Sequence, residues 1–383
     1  MACELALTQV EGLKQQTGFT PDSTLGFVYL TEALAAHGGE VLKLLKERTG
    51  VDDWVGAVGM GICATGAEYF NEPAVAIMLT DLPVNQYQIF SGRRRAPKLD
   101  ERTSTGEQLS YTAVVHADPA TGDIQELIND MADRTQTGLL FGGITSGKAS
   151  IGQFAAEPVN GGISGAVFSS GIKVLTKITQ GCSPLGKEHS VESAEGHYLR
   201  SFDSGPALDV LLKDLGIQEQ ERTSRNGDEI LKSISESRLH KGLLIGVSPK
   251  SESKSNSFGF GDYVVRHIVG IDPINRIVAV ADHIHEGDKA VFCTRDAHAA
   301  RKDLIRICTE LRSEAEEEGL EIQGALYFSC VARGENTFGE QGAELGIIQH
   351  NLGDVPLTGF YANGEIGRNK LYGYTGVLTL FVK

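Results

Sequence analysis

Two short segments in the last sixty residues hold the side chains best able to do chemistry. In the first, Cys330-Val331-Ala332-Arg333-Gly334-Glu335, a thiol closes an apolar run and a guanidinium follows beside a glycine. A cation next to exposed backbone amides can hold a carboxylate or phosphate. In the second, Asn363-Gly364-Glu365, an acid sits in a glycine-rich turn, where it could receive an ammonium group or pair with Arg333. The same residues allow a different chemistry. Arg333 could ionise Cys330 as a nucleophile, with Glu365 or His350 moving the proton. A free cysteine at a strand end is more often a small packing residue, so the pattern favours binding over catalysis.

Other motifs are weaker. Gly142-Gly143-Ile144-Thr145-Ser146-Gly147-Lys148-Ala149 approaches a phosphate loop, but Ala149 has no hydroxyl for Mg²⁺. Ile151-Gly152 and Pro158 also cannot sustain the helix such a loop requires, so a tight turn is expected. Asp282-His283-Ile284-His285-Glu286 puts two histidines on one face of an extended segment without a third ligand, and no metal is expected. Neither a Gly-x-Ser-x-Gly elbow nor a Gly-x-Gly-x-x-Gly turn from strand into helix is present, which leaves acyl-transfer and dinucleotide readings without support.

The elements that must position these residues follow from periodicity. Strands are expected at 24–30, 54–63, 74–79, 111–116, 138–144, 165–169, 172–180, 243–247, 263–269, 277–281, 290–293, 324–330, 357–361 and 372–382. Helices are expected at 5–15, 40–48, 124–134, 206–215, 228–238, 299–318 and 340–351, with exposed loops at 91–108 and 251–257. The glycines echo one another. Gly56 to Gly66 and Gly324 to Gly334 are both ten residues apart, and 139–147 resembles 356–364. This points to an internal duplication. The expected fold is α/β, two related lobes with mixed β-sheets flanked by helices. The lobes are residues 1–199 and 200–383, meeting within 171–205, with glycine-rich corners facing each other.

A chain of 383 residues exceeds the usual size of one core, and 41% apolar with 22% charged residues is ordinary for a globular protein. The net charge of −15 opposes binding to nucleic acid. Arg93-Arg94-Arg95 with Lys98 is the one basic cluster and reads as a solvated loop. The first ten residues lack the pattern of a signal peptide, and no apolar stretch would span a bilayer. Six cysteines without metal spacing read as reduced thiols, and a cytoplasmic location is expected.

Against this background the chemical segments carry a family resemblance. Asn363-Gly364-Glu365-Ile366-Gly367 before Tyr372-Gly373-Tyr374-Thr375, together with Cys330-Val331-Ala332-Arg333-Gly334, resembles the C-terminal half of the FIST domain. That domain occurs in bacterial intracellular signalling proteins and, fused to an F-box, in some ubiquitin-ligase adaptors. Gln180-Gly181-Cys182-Ser183-Pro184-Leu185-Gly186 resembles its mid-domain motif, and Phe202-Asp203-Ser204-Gly205-Pro206-Ala207-Leu208 the helix start after it. Residues 24–63 and 141–147 are similar to the N-terminal half. The resemblance covers nearly the whole chain, so no F-box or attached output domain is expected.

The resemblance implies a sensory module of signal transduction that binds a small molecule, an amino acid or other small carboxylate, without a cofactor. A signalling protein is a further expected partner. The ligand is expected between the lobes, near Gly142, Gly143, Ser146, Cys182, Cys330, Arg333, Gly334, Glu335, Asn363, Gly364 and Glu365. The alternatives are a thiol enzyme built on Cys330 with Glu365, or a protein-interaction module using the loops at 91–98 and 250–257.

Overall fold

Leu-Gly-Phe-Val-Tyr-Leu-Thr at 25–31 contains no charge and is buried along its whole length, as a parallel strand covered on both faces must be. In the computed structural model, which describes residues 1–17, 23–147, 152–219, 226–236, 242–250 and 263–383, it forms β1 (Leu25–Thr31). The helix Gly38–Thr49 follows, and β2 (Asp53–Gly59) returns parallel to β1. Side chains alternate across the pair. Phe27 and Tyr29 enter a central core, whereas Val28 and Leu30 pack with Val41, Leu42 and Leu45 of the helix. The helix ends at Gly50, whose φ of 75° turns its N–H to Lys46 O.

The strand expected at 54–63 is two strands. The chain reverses at exposed Met60, between Gly59 and Gly61. The hairpin β3 (Gly61–Ala64) and β4 (Ala67–Phe70) then leaves the first sheet, and β5 (Val75–Thr80) rejoins it antiparallel to β1. The pattern recurs. After β6 (Tyr87–Phe90) come β7 (Thr112–Ala117), the helix Ile124–Asp133 and β8 (Leu140–Ile144), parallel to β7. The hairpin β9 (Gln153–Ala155) and β10 (Pro158–Val159) follows, and β11 (Ile163–Phe168) returns antiparallel to β7.

The third copy begins with β12 (Lys173–Gln180) and is interrupted by residues that form a separate unit. In that unit β13 (Cys182–Pro184), β14 (His189–Glu195), β15 (Tyr198–Phe202) and β16 (Gly205–Pro206) lead into the helix Ala207–Asp214. After the helix Gly227–Glu236 come β17 (Leu243–Ser248), β18 (Val264–Asp272), β19 (Ile277–Val280) and β20 (Lys289–Arg295). Six of these strands, in the order β20, β14, β15, β19, β18, β17, close on themselves because β17 also pairs with β20. Closure leaves few open edges and encloses a core of Phe202, Leu208, Leu211, Ile245 and Phe292.

The chain returns through the helix Ala297–Glu317 to β21 (Ile322–Cys330), the short helix Glu335–Phe338 and the helix Ala343–Leu352. Parallel β22 (Leu357–Ala362), the hairpin β23 (Glu365–Gly367) and β24 (Lys370–Tyr372), and antiparallel β25 (Thr375–Val382) complete the third copy. Each hairpin extends the sheet of another copy: β3 pairs with β22, β9 with β2, and β23 with β8. The sheet orders β10-β9-β2-β1-β5, β24-β23-β8-β7-β11-β6 and β4-β3-β22-β21-β25-β12 therefore share one plan.

The repetition read from the glycines is thus present three times within one unit, and its equivalences differ from the expected echo. Gly56, Gly142 and Gly359 are the matching residues, opposite Val28, Val115 and Tyr327. A Cβ at these glycines would lie 1.7, 1.8 and 1.7 Å from the facing carbonyl oxygen, so no other residue fits. Gly324, by contrast, belongs to a first strand of a pair, not a second.

Residues Met1–Thr179 with Leu304–Lys383 form one compact unit and Gln180–Asp303 the other. The expected lobes, 1–199 and 200–383, are consecutive stretches of the chain. In the first unit, strands from both stretches share sheets, because β3 pairs with β22 and β8 with β23.

Candidate functional site

The two segments singled out by their chemistry follow paired strands. Cys330 ends β21 opposite Ala362 at the end of β22, and parallel strands present their following turns on the same side. Beyond Cys330 the chain turns, with Arg333 N–H donating to Cys330 O at 2.8 Å. Gly334 (φ 55°, ψ −141°) adopts a conformation closed to other residues and starts the short helix whose Phe338 ring lies 5.2 Å from the Arg333 guanidinium carbon.

Arg333 is buried, with its side chain 1% exposed against a fully buried Glu344. Its Nε donates to Glu344 Oε1 at 2.7 Å. Tyr327 Oη (2.6 Å), Ser329 Oγ (3.1 and 3.2 Å) and Gly334 N–H (3.1 Å) donate to the same carboxylate. Burial works most strongly against the guanidinium charge, but Glu344, Tyr327 and Glu365 together outweigh it and hold Arg333 above its ordinary value. Nη1 and Nη2 of Arg333 have no hydrogen-bond partner among the described residues. Glu68 reaches the same corner from the β3–β4 hairpin. Tyr361 Oη donates to its Oε2, and its Oε1 has no partner there.

Glu365 lies beside this network, fully buried. Its Oε2 accepts from the Thr375 amide (3.1 Å) and hydroxyl (2.7 Å), whereas Oε1 has no partner among the described residues. Burial raises its pKa to about 8, against the lowering effect of Thr375 and of the Arg333 charge. Cys330 sits next to it. Burial, and then the Glu365 charge, push that thiol up to about 12, while Arg333 lowers it only weakly. The thiolate required by an enzyme reading is therefore disfavoured at neutral pH, and His350 is exposed at the end of its helix.

The glycine-rich turns meet as neighbours. Gly143 pairs with Glu365 and Gly142 with Ile366. Ile144 N–H donates to Gly364 O and Asn363 N–H to Ile144 O, both at 2.9 Å. Ser146 Oγ donates to Tyr361 O (2.5 Å) and accepts from Met60 N–H (2.7 Å). Gly142, Gly143, Ser146, Cys330, Arg333, Gly334, Gly364 and Glu365 are thus gathered at one corner.

Three expected residues are not part of the buried cluster. The side chains of Glu335 and Asn363 are exposed, and Asn363 contributes through its backbone alone. Cys182 is buried in the other unit, on β13 opposite Arg295. Lys148 and Ala149, like the loop at 251–257, lie outside the described residues. Sequence reasoning missed Glu344, Glu68, Tyr361 and Thr375. The one available signal was an acid inside an apolar helix, Ala343-Glu344-Leu345-Gly346-Ile347-Ile348.

Among the described residues no group of three or more His, Cys, Asp or Glu side chains is arranged to hold a metal ion. No helix there is long and apolar enough to cross a membrane. Arg93 of the basic cluster pairs with Glu157 at 3.3 Å on the surface.

Comparison with known proteins gives a consistent result. A family model of the FIST N domain matches residues 24–204, and one of the FIST C domain matches 207–368. Uncharacterized protein Rv0628c of Mycobacterium tuberculosis is 30% identical over 344 residues, covering 86% of this chain and 83% of its own length. Uncharacterized protein Mb0898c of Mycobacterium bovis is 30% identical over 342 residues, covering 86% and 82%.

Proposed function

The chain belongs to the FIST family, whose domains are associated with signal transduction and small-ligand sensing, and from that premise we propose that it is an intracellular sensory protein for an amino acid or other small carboxylate. The ligand is held where the FIST N and FIST C portions of the chain meet in the first unit, at the corner of Arg333, Glu68 and Glu365. One observation carries this reading. Arg333 is buried, and both of its terminal nitrogens are without a hydrogen-bond partner among the described residues. Leaving buried donors unsatisfied costs about 1–3 kcal/mol each, more for a charged group. A carboxylate taking both nitrogens would remove that cost with two charge-assisted bonds in the fork geometry that guanidinium favours. The free oxygens of Glu68 and Glu365 suit an ammonium group at the other end of the same small molecule.

Occupancy would be passed on by a change in how the turn at 331–334 and the β3–β4 hairpin pack, read by a signalling protein partner. Calorimetric titration of the full chain with the common amino acids and small dicarboxylates tests the reading. Saturable binding that requires both a carboxylate and an amine is expected. Equal heats for a ligand and its methyl ester would overturn it.

A further inference from the structure

In the second unit a serine, a histidine and an aspartate stand in line. Ser204 Oγ lies 2.9 Å from His189 Nδ1, and His189 Nε2 lies 3.3 Å from Asp214 Oδ2. Three different elements supply them. His189 opens β14, Ser204 occupies the turn between β15 and β16, and Asp214 ends the helix Ala207–Asp214. The imidazole is fixed by packing, its ring 5.2 Å from that of Phe202, which in turn meets Phe292 edge-on at 5.7 Å. The carboxylate has room only because residue 186 is glycine, where a Cβ would lie 2.3 Å from Asp214 Cγ. The side chains of His189 and Asp214 are 4% and 9% exposed, whereas Ser204 faces solvent. A Cβ at the adjacent Gly205 would meet nothing within 4 Å, so the space beside Ser204 is open.

The protons follow from the chemistry of the groups. A carboxylate only accepts, so Asp214 selects the tautomer with hydrogen on Nε2. Nδ1 is then an acceptor, and Ser204 must donate to it. That is the arrangement of nucleophile, base and orienting acid used in acyl transfer, with the two ring nitrogens exchanging their more familiar roles.

We propose that Ser204, His189 and Asp214 form a serine-nucleophile site that hydrolyses small carboxylic esters. Ser204 Oγ adds to the ester carbonyl carbon while its proton passes to His189 Nδ1. The carbon–oxygen bond to the alcohol breaks, and the alcohol leaves with that proton. Water then adds to the acyl-serine, giving its proton to Nδ1, and the carboxylic acid departs as Ser204 recovers its hydrogen. Asp214 touches no reacting atom and is a positioning residue. The site is independent of the ligand corner around Arg333.

The test uses the full chain with a fluorophosphonate probe, peptide mass mapping and p-nitrophenyl acetate hydrolysis. A single phosphonyl adduct on Ser204 is expected, together with ester turnover that Ser204→Ala abolishes. His189→Gln should slow labelling by about 100-fold or more, the usual contribution of a positioned base. Asp214→Asn should lower kcat while leaving KM within twofold, a split that a purely structural role would not give. Labelling of Ser204 no faster than in the heat-unfolded chain overturns the proposal. So does unchanged labelling in a folded His189→Gln protein. If that variant does not fold, unchanged kcat in Asp214→Asn overturns it equally.

Discussion

Tyr29 Oη lies 3.1 Å from His116 Nε2, and the two rings meet Phe328 at the point where equivalent residues of the three repeats converge. Each of the three follows the residue that faces a second-strand glycine: Val28, Val115 or Tyr327. Their centroids are 5.6, 6.1 and 6.2 Å apart. Burial pushes His116 down to about 3, so the imidazole is neutral wherever the protein is folded near neutral pH. Breaking this hydrogen bond from one side leaves a polar atom in an apolar core. Tyr29→Phe and His116→Phe should each destabilise by about 1–3 kcal/mol, and the double variant by clearly less than their sum. Urea unfolding of the four proteins measures the coupling, and strict additivity would show that the contact contributes nothing.

Gly359→Ala tests the basis of the threefold plan. A methyl group 1.7 Å from Tyr327 O cannot be accommodated by side-chain repacking. The β21–β22 pair must separate, so the loss should exceed the ~1–3 kcal/mol usual for an overpacked core. Gly339→Ala, at an open site with positive φ, is the control for backbone strain alone. Circular dichroism melting should separate the two clearly.

Arg333 has two roles that different substitutions divide. Arg333→Ala leaves Glu344 buried without its cation and should cost about 3–5 kcal/mol of stability. Arg333→Lys keeps a charge but loses the planar fork, so it should fold while losing about 1.5–3 kcal/mol of carboxylate affinity. Thermal shifts with and without the amino acid identified by calorimetry provide the comparison. Equal ligand-induced shifts in wild type and Arg333→Lys would reduce Arg333 to a structural tie.

Glu365 makes stability and binding depend on pH. Its pKa is raised on folding from 4.5 to about 8, so the native state holds the proton more tightly. The stability it contributes is fully present below about pH 4.5 and is lost as pH rises towards 8. The slope is at most about 1.4 kcal/mol per pH unit. Glu365→Gln should remove this part of the slope, as urea unfolding between pH 5 and 8 would register. An ammonium-bearing ligand should also expel the proton, seen as buffer-dependent heats in calorimetry at pH 7.

Cys330 should behave as a shielded thiol. With its pKa pushed up to about 12, alkylation by iodoacetamide should be slow and show no inflection near the ~8.5 of a free cysteine. Cys330→Ser should retain most ligand affinity. Rapid Cys330 modification at pH 7, followed by peptide mapping, would restore the thiol-enzyme reading.

Much of the local structure was determined by the sequence itself. The uncharged runs at 25–31 and 357–362 specify buried strands, the apolar spacing of 304–311 specifies a covered helix face, and the likeness of 139–147 to 356–364 marks a repeat. The segments around Cys330 and Asn363 could be chosen because thiol, guanidinium and acid are rare together in glycine-rich turns. The tertiary structure decided what these residues do. Whether Glu365 faces solvent or core depends on the register of β23 against β8, fixed by hydrogen bonds to Phe141–Gly143 far away in the chain, which no local pattern encodes. Arg333 reads as a surface ligand until Glu344, from a helix whose own pattern is apolar, closes over it. Ser204, His189 and Asp214 share no motif, because sheet closure and a helix end bring them together, not their spacing. Local propensity acts over a few residues, whereas charge, burial and proton position are set by whichever strands become neighbours.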